Sequence, residues 1–328
     1  MVTGLLRPAM LAAARSPRLE RTVRRRSVTR RLVDRFVAGD TEDQAITAAA
    51  ALLESGRRIS IDYLGEDTTD IGQARATVEH YSALLSALAR VPGTGGGSPL
   101  EVSLKLSALG QALPRDGGRI ALDHAREICA AAQAVGVAVT IDAEDHTTTD
   151  STLAIVAELR GDFPELGTVL QAYLKRSAAD CRDLAGSRIR LCKGAYREPP
   201  SVAYQRPAEV DESYLRCLRI LMDGHGYPMV ATHDPRMIDA AQSYARAAGR
   251  AAGDFEFQML YGIRDPEQRR LAEAGHRLRV YLPYGDQWFG YFMRRLAERP
   301  ANLVFFLRAL TPGNFTDSPP ATPAGRFS

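Results

Sequence analysis

Polar side chains that could carry chemistry recur where apolar, β-branched stretches of the chain end. They are Lys105 in SLKLSAL, Asp142 and Glu144 in IDAEDH, Gln171 in LQAY, Arg190 and Lys193 in RIRLCKGAY, Thr232 and His233 in ATHD, Gln258 in FQML and Tyr281 in RVYLPYG. The set mixes cations, carboxylates and amides, with neither a His/Cys/Asp cluster at metal-ligand spacing nor a Ser-His-Asp arrangement. We therefore expect no metal site, and a site suited to an anionic organic cofactor that brings its own reactivity.

A second motif, YGDQWFGYFMRRLAERPAN, places two arginines side by side in a predicted helix. Tyr291, Arg294 and Glu298 are spaced three and four residues apart and share one face, with Arg295 beside them. Two guanidinium groups that a carboxylate orients from one turn away can bind a second carboxylate through paired hydrogen bonds. The motif predicts a clamp for a substrate carboxylate, and an ordinary surface Glu-Arg pair is the alternative.

The composition is that of a soluble globular protein, and its cations are unusual. Of 42 cationic residues only Lys105, Lys175 and Lys193 are lysines, and two of these three lie in the strand-end motifs. The four cysteines form no CxxC or Cys/His pattern, which excludes a zinc ribbon and a disulfide framework and indicates a reducing compartment. The sequence contains no apolar run of about 18 residues, the length that a membrane-spanning helix needs.

Positive charge is concentrated at the start of the chain. Residues 1–40 hold ten arginines against three acidic residues. Such an arm could bind nucleic acid, lie on anionic lipid or act as a transit peptide. The other interpretation is a solvated helix face whose apolar side docks on the body of the protein, because apolar residues recur at helical spacing between Val28 and Val37.

Helix and strand signals alternate after residue 41. Eight apolar runs predict strands at 59–64, 100–106, 137–141, 168–173, 189–192, 229–232, 255–260 and 278–282. Thr41 and Gln44 form a capping box, and Asp234-Pro235 and Asp265-Pro266 read as an N-cap followed by a first-turn proline. Eight strand-helix units fit a parallel (β/α)₈ barrel in the α/β class.

Nothing in the glycine pattern indicates a nucleotide loop. The stretch VPGTGGGSP lacks the GK[ST] ending and a preceding strand, and no G-x-G-x-x-G follows any strand, which disfavours a dinucleotide-binding Rossmann fold. We expect an N-terminal basic and helical arm over 1–57, the barrel over 58–310 and a disordered tail, rich in Pro, Ser and Thr, over 311–328.

The ordered motifs SLKLSAL, IDAED, LQAY, RIRLCKGAY, ATHD, FEFQML, RVYLPYG and YFMRRLAERPAN resemble those of the proline dehydrogenase family, from about Ile59 to Asn302. The resemblance implies a TIM-like (β/α)₈ barrel with extra N-terminal helices and a C-terminal helix over the barrel mouth. It also implies non-covalently bound FAD and oxidation of L-proline to Δ1-pyrroline-5-carboxylate, the first step of proline catabolism to glutamate.

The family pattern assigns roles to individual positions. For the substrate, it implies that Arg294 and Arg295 bind the proline carboxylate with Glu298 holding them, that Lys105 and Asp142 form an ion pair in the pocket, and that Tyr281 packs over the ring. Glu144 is the alternative to Asp142, and Asp142, Arg190 and Tyr281 are the expected catalytic residues. The expected cofactor-binding residues are Ala143, Gln171, Arg190, Lys193, Gly194, Ala195, Thr232, His233 and Leu260, with Arg190 near flavin N5.

The resemblance also implies partners. Electrons would pass to a membrane quinone and the product to a separate pyrroline-5-carboxylate dehydrogenase, because 328 residues leave no room for a second catalytic module. We expect a cytoplasmic protein, with a peripheral membrane contact through the arm as one alternative and no nucleic-acid partner. A related flavin-dependent hydroxyproline or amine dehydrogenase is the competing enzyme, and Tyr281 favours proline because hydroxyproline-specific relatives carry a smaller residue there.

Overall fold

Eight parallel strands close into a barrel in the computed structural model. It describes residues 33–91 and 98–298, and for 294–298 the backbone alone. The strands are β1 (Arg58–Tyr63), β2 (Leu100–Leu104), β3 (Ala138–Ile141), β4 (Gly167–Gln171), β5 (Arg188–Cys192), β6 (Tyr227–Ala231), β7 (Glu256–Leu260) and β8 (Leu278–Tyr284). Each pairs with the next in sequence, and β8 pairs with β1. All eight predicted strands are confirmed, as is the (β/α)₈ barrel.

Helices follow the strands in strict alternation. They are α1 (Glu42–Glu54) before β1, then α2 (Ile71–Leu88), α3 (Gly117–Ala134), α4 (Thr149–Leu159), α5 (Ser177–Asp183), α6 (Pro207–Asp223), α7 (Pro235–Ala247), α8 (Asp265–Glu273) and α9 (Trp288–Glu298), with a single 3₁₀ turn at His146–Thr148. No helix within these described residues is long and apolar enough to cross a membrane. Of the predicted N-terminal helices, α1 is described, whereas residues 1–32 and the tail at 311–328 lie outside the described residues.

Local sequence signals explain where most helices begin. The Thr41 hydroxyl accepts from the Gln44 N–H and the Gln44 side chain accepts from the Thr41 N–H, which is the predicted capping box. Asp234 caps α7 ahead of Pro235, also as predicted. The prediction for α8 was wrong by one residue. Arg264, in the left-handed region at φ 54°, occupies the cap position, and Asp265 is the first helical residue.

Two kinds of residue alternate along the strands. Ile59, Ile61, Val102 and Leu104 are fully buried in the main apolar cluster. The residues between them are polar, and several of them bond to strands on the opposite side of the barrel. Arg190 on β5, for example, bonds to Ser60 on β1. Contacts between non-adjacent strands must cross the barrel, so its interior is filled by a polar network and the apolar core lies between strands and helices.

A short segment before α1 packs against the end of β8. Phe36 and Val37 are buried. The Ala38 N–H donates to the Pro283 carbonyl, and the Gly285 N–H donates to the Gly39 carbonyl. The segment from Phe36 to Gly39 therefore docks on the barrel, as the helical spacing of the apolar residues in this part of the arm indicates.

Candidate active site

Arg190 lies at the centre of a hydrogen-bond network inside the barrel. Its Nη1 donates to Asp142 Oδ1 at 2.5 Å and to Ser103 Oγ at 3.0 Å. Its Nη2 donates to Glu101 Oε1 at 2.6 Å and to Ser60 Oγ at 3.2 Å. Burial disfavours the charged guanidinium, but Asp142 and Glu101 outweigh burial and raise the Arg190 pKa above its usual value. Arg190 therefore holds a fixed positive charge at the mouth of the barrel.

Tyr281 and Asp142 complete this network on the side of the mouth. The Tyr281 hydroxyl donates to Asp142 Oδ2 at 2.7 Å, and the Arg190 guanidinium carbon lies 5.4 Å from the centre of the Tyr281 ring. Burial and the charge of Asp142 raise the pKa of Tyr281 well above its usual value, so the phenol stays protonated as the donor. The structure thus brings together the three predicted catalytic residues, which lie on β8, β5 and just after β3.

Lys105 has a different partner from the one expected. Its Nζ lies 2.6 Å from Asp62 Oδ2, and both side chains are almost fully buried. Burial lowers the pKa of Lys105, but the charges of Asp62 and then Asp142 outweigh it, so the net pKa is raised. The predicted direct ion pair between Lys105 and Asp142 is wrong, because the Asp142 oxygens bond to Arg190 and Tyr281.

Glu144, the alternative to Asp142, faces a loop. Its two oxygens accept from the Ser107 N–H at 3.0 Å and the Ser107 hydroxyl at 2.5 Å. Burial raises its pKa to about 7, and the hydrogen bonds from Ser107 oppose that shift. Glu144 therefore fastens the segment after β2 to the segment after β3, whereas Asp142 lies in the network with Arg190.

The expected cofactor-binding residues line the ends of β3 to β7. The Gln171 amide donates to the Glu144 carbonyl at 2.8 Å, and Nε2 of His233 accepts from the Leu260 N–H at 2.9 Å. Thr232 is buried at 7% exposure, and its hydroxyl accepts from the Asp234 N–H. These bonds fix the orientations of the side chains at the rim of the barrel.

Two cations and two carboxylates meet at the end of β5. Lys193 Nζ lies 2.6 Å from Asp211 and 3.2 Å from Asp234, and Arg236 bonds to the same two carboxylates. The side-chain hydrogen bonds from Arg236 and then Lys193 lower the pKa of Asp234 to about 2. Lys193 is thus held in place by Asp211 and Asp234, two partners that the sequence analysis did not assign to it.

Lys175 holds a loop in place through hydrogen bonds. Its Nζ donates to the carbonyls of Pro200 and Ser201 at 2.7 and 3.3 Å, and its own N–H donates to the Val202 carbonyl. The loop between β5 and α6 is therefore tied to the segment that follows β4.

Several members of the network were missed by the sequence analysis. They are Ser60, Asp62, Glu101 and Ser103. All lie within strands, whereas the prediction considered polar residues at the ends of strands. The alternation of polar residues could have revealed them. Polar residues at every second position, as in Ser60 and Asp62 or Glu101 and Ser103, place polar side chains on one face of a strand.

The arginine motif lies in α9, which confirms the predicted helix. The side chains of Arg294, Arg295 and Glu298 fall outside the described part of the chain, so their roles, and the placement of α9 over the mouth, stay predictions.

Comparison with known proteins decides the family. A family model for proline dehydrogenase matches residues 45–308. The chain belongs to the proline dehydrogenase family. It is 40% identical to a proline dehydrogenase of Deinococcus radiodurans over 317 residues, covering 95% of this chain and 100% of that one. It is also 40% identical to proline dehydrogenase 1 of Bacillus subtilis, covering 84% and 89%.

The fold of this proline dehydrogenase family member is shared with a solved structure. The crystal structure of proline utilization A from Bdellovibrio bacteriovorus, inactivated by N-propargylglycine, superposes with a TM-score of 0.76 at 25% identity. The match covers 91% of this chain and 37% of that one. The chain is accordingly an oxidoreductase with the barrel of the proline dehydrogenases.

Proposed function

We propose that the protein oxidises L-proline to Δ1-pyrroline-5-carboxylate with FAD bound non-covalently at the C-terminal mouth of the barrel. The observation that carries the proposal is the convergence of Arg190, Asp142 and Tyr281 at that mouth in a member of the proline dehydrogenase family. When bound, the flavin would accept a hydride from the proline ring carbon next to nitrogen.

The residues at the mouth fit such a cofactor. Arg190 Nε is buried and has no hydrogen-bond partner among the described residues, so a donor is available for an incoming acceptor. Gly194 follows β5 at φ 110°, and a Cβ there would overlap the Tyr173 ring. The lack of a side chain at Gly194 therefore lets the Tyr173 ring pack directly on the backbone that follows β5, among the expected cofactor-binding residues. In this proposal Ala143, Gln171, Lys193, Ala195, Thr232, His233 and Leu260 surround the remaining parts of the FAD.

Different cationic residues would bind the negative charges of the substrate and of the cofactor. Arg190 would stabilise negative charge on the reduced cofactor, because Asp142 and Glu101 hold it rigidly in the interior. Lys105 would donate a hydrogen bond to the proline carboxylate, but Asp62 already balances its charge. Most of the carboxylate binding would therefore fall to Arg294 and Arg295, oriented by Glu298.

Tyr281 would set the position of the proline ring. Its hydroxyl is anchored by Asp142, so the aromatic face is held in a fixed orientation at the mouth. Hydride transfer depends steeply on the distance between substrate and cofactor. A proline ring that is packed on one face and bound at its carboxylate is fixed in both position and orientation. We propose that Tyr281 and the arginine pair together define the distance from substrate to cofactor.

The electron acceptor and the fate of the product follow the same proposal. We propose that electrons pass to a membrane quinone and that a separate pyrroline-5-carboxylate dehydrogenase consumes the product. The charge of residues 1–40 would hold a cytoplasmic enzyme at the surface of an anionic membrane.

Anaerobic addition of L-proline to the purified protein should bleach a flavin absorption band. The test reports cofactor, substrate and electron transfer together. The same titration with trans-4-hydroxy-L-proline should bleach far more slowly, and faster bleaching with the hydroxylated substrate would assign the protein to the competing enzyme. A colourless protein that does not take up added FAD would contradict the cofactor assignment.

Arg295→Lys should raise KM for L-proline by about tenfold or more while leaving the flavin bound, because lysine keeps the charge but loses the two-point guanidinium geometry. Steady-state kinetics and the ratio of flavin to protein absorbance measure the two effects. Exposed Arg246 on α7, changed to lysine, is the matched control and should leave KM unaltered. An unchanged KM in Arg295→Lys would remove the clamp from the proposal.

A further inference from the structure

A cavity opens at the N-terminal end of the barrel, opposite the mouth that holds Arg190 and Tyr281. Its volume is about 390 Å³. Arg58, Ala138, Arg188 and Tyr227 each begin a strand, and all four line it. Because the strands are parallel, their first residues gather at one end of the barrel and their last residues at the other, so this cavity is separate from the candidate active site.

One side of the cavity is strongly cationic. Arg58, Arg188, Arg277 and Arg279 all line it. Burial, and then repulsion from Arg279, lowers the pKa of Arg58 although Glu256 opposes the shift. A guanidinium whose pKa is lowered partly by neighbouring guanidinium groups lies in a positive potential.

Buried carboxylates balance part of this charge. Arg279 makes a two-point pair with Glu256, and Arg188 Nη2 reaches Glu101 at 3.2 Å. The side-chain hydrogen bonds of Arg188, to Glu101 and to Met229 Sδ, both come from Nη2, which leaves Nη1 without a hydrogen-bond partner in the described part of the chain. Within residues 33–91 and 98–298, Arg277 makes no ion pair, and its Nη1 donates to the neutral Tyr227 hydroxyl at 3.3 Å. Donors on both Arg188 and Arg277 are therefore available to an anion.

Tyr227 joins these two arginines. The guanidinium carbon of Arg188 lies 4.9 Å from the centre of its ring, and that of Arg277 lies 5.9 Å from it. Contacts with the π-face hold both cations near one point and leave their N–H edges for other partners. These contacts and the Arg188–Glu101 pair restrict both side chains, so little ordering would accompany binding.

Apolar side chains form another part of the lining, here called the apolar wall. Val137, Val139, Phe163 and Leu166 line it, together with Pro164. Glu165 is the single acidic residue among those lining the cavity, and it is exposed. An apolar wall in the same cavity as free guanidinium donors suits a molecule with an anionic group at one end and an apolar body at the other.

We propose that this cavity binds a small organic carboxylate with an apolar body, held by Arg188 and Arg277 at its charged end. The site is distinct from the one proposed for proline and FAD, and it does not depend on that proposal. Its volume is within the range of small-molecule pockets and accommodates a ring of benzoate size.

The experiment uses 4-(trifluoromethyl)benzoate as a fluorine-NMR probe of the full chain, with L-proline at saturation so that the substrate site is occupied. We expect saturable binding of the benzoate and at least about tenfold weaker binding of the neutral 4-(trifluoromethyl)benzamide. Equal binding of the two probes would overturn the role of the arginines. Displacement of the benzoate by equimolar inorganic phosphate would overturn the role of the apolar wall.

Two variants place the probe in the cavity. Arg277→Gln removes an available charge, and Ala138→Phe fills the cavity while leaving every charge in place. Each should weaken benzoate binding about tenfold or more without changing proline turnover. Arg246→Gln, on an exposed face of α7, is the matched control and should bind as the wild type does. Unchanged binding in both cavity variants would refute the site.

Discussion

Arg190→Gln should lower the free energy of unfolding by about 3–5 kcal/mol and kcat by about 10²–10³-fold. The stability loss follows because the guanidinium pairs with both Asp142 and Glu101, and removing it leaves two buried carboxylates without their common cation. The loss in kcat follows because Arg190 is the fixed positive charge at the mouth. Urea unfolding and stopped-flow reduction by proline measure the two quantities.

The pH dependence separates this explanation from simple loss of packing. Burial by itself would raise the pKa of Glu101, but the charges of Arg279 and Arg190 hold it at about 2. A carboxyl with a lowered pKa stabilises the fold above about pH 4, its unfolded pKa, and this contribution disappears as the pH falls toward 2. The stability difference between wild type and Arg190→Gln should therefore be largest above about pH 5 and should shrink in acid.

Arg190→Lys is the matched variant. It keeps a charge but can serve fewer of the four acceptors that Arg190 bonds, so its stability should lie between those of the wild type and Arg190→Gln. A difference that is the same at pH 3 and pH 8 in both variants would show that lost packing, not lost charge, is responsible.

Asp142→Asn should lower kcat/KM by about 10²–10³-fold, whereas Glu144→Gln should change it by less than about threefold. Asp142 accepts from both Arg190 and Tyr281, so an amide in its place loses the charge that orients both groups. Among the described residues, the Glu144 carboxylate accepts hydrogen bonds from Ser107 alone, and a glutamine at this position can still accept one of them. Steady-state kinetics of the two variants decide between the residues.

Stability measurements give an independent check on Glu144. Its pKa is raised to about 7 by burial, so in the wild type this group weakens the fold as the pH rises from its unfolded pKa of about 4 through 7. Glu144→Gln cannot ionise and should therefore become more stable relative to wild type as the pH rises through that window. A loss in kcat/KM for Glu144→Gln as large as that for Asp142→Asn would assign the catalytic carboxylate to Glu144 or to both.

The sequence allowed the strands and most of the mouth to be predicted, because the relevant signals are local. An apolar run followed by a polar residue identifies a strand end, and parallel strands place all such ends together. This rule predicted Arg190, Asp142 and Tyr281, which the structure joins by hydrogen bonds.

The partners of individual charges could not be predicted in the same way. Lys105 follows β2, which lies between β1, the strand of Asp62, and β3, the strand that precedes Asp142. Sequence spacing does not say toward which of these two carboxylates the Lys105 side chain turns. The structure resolves this because Arg190 and Tyr281 already engage both oxygens of Asp142, leaving Asp62 for Lys105. Side-chain pairing across a barrel depends on competition among all the groups inside it.

Amine-reactive chemistry can exploit the scarcity of lysine. Lys105 is buried against Asp62 and Lys193 is held between Asp211 and Asp234, so Lys175 is the exposed side-chain amine. While its Nζ donates to the carbonyls of Pro200 and Ser201 the amine is engaged in these hydrogen bonds, and it is free to react with an acylating reagent when the β5–α6 loop lifts. The rate at which a succinimidyl ester modifies Lys175 therefore reports how often that loop opens.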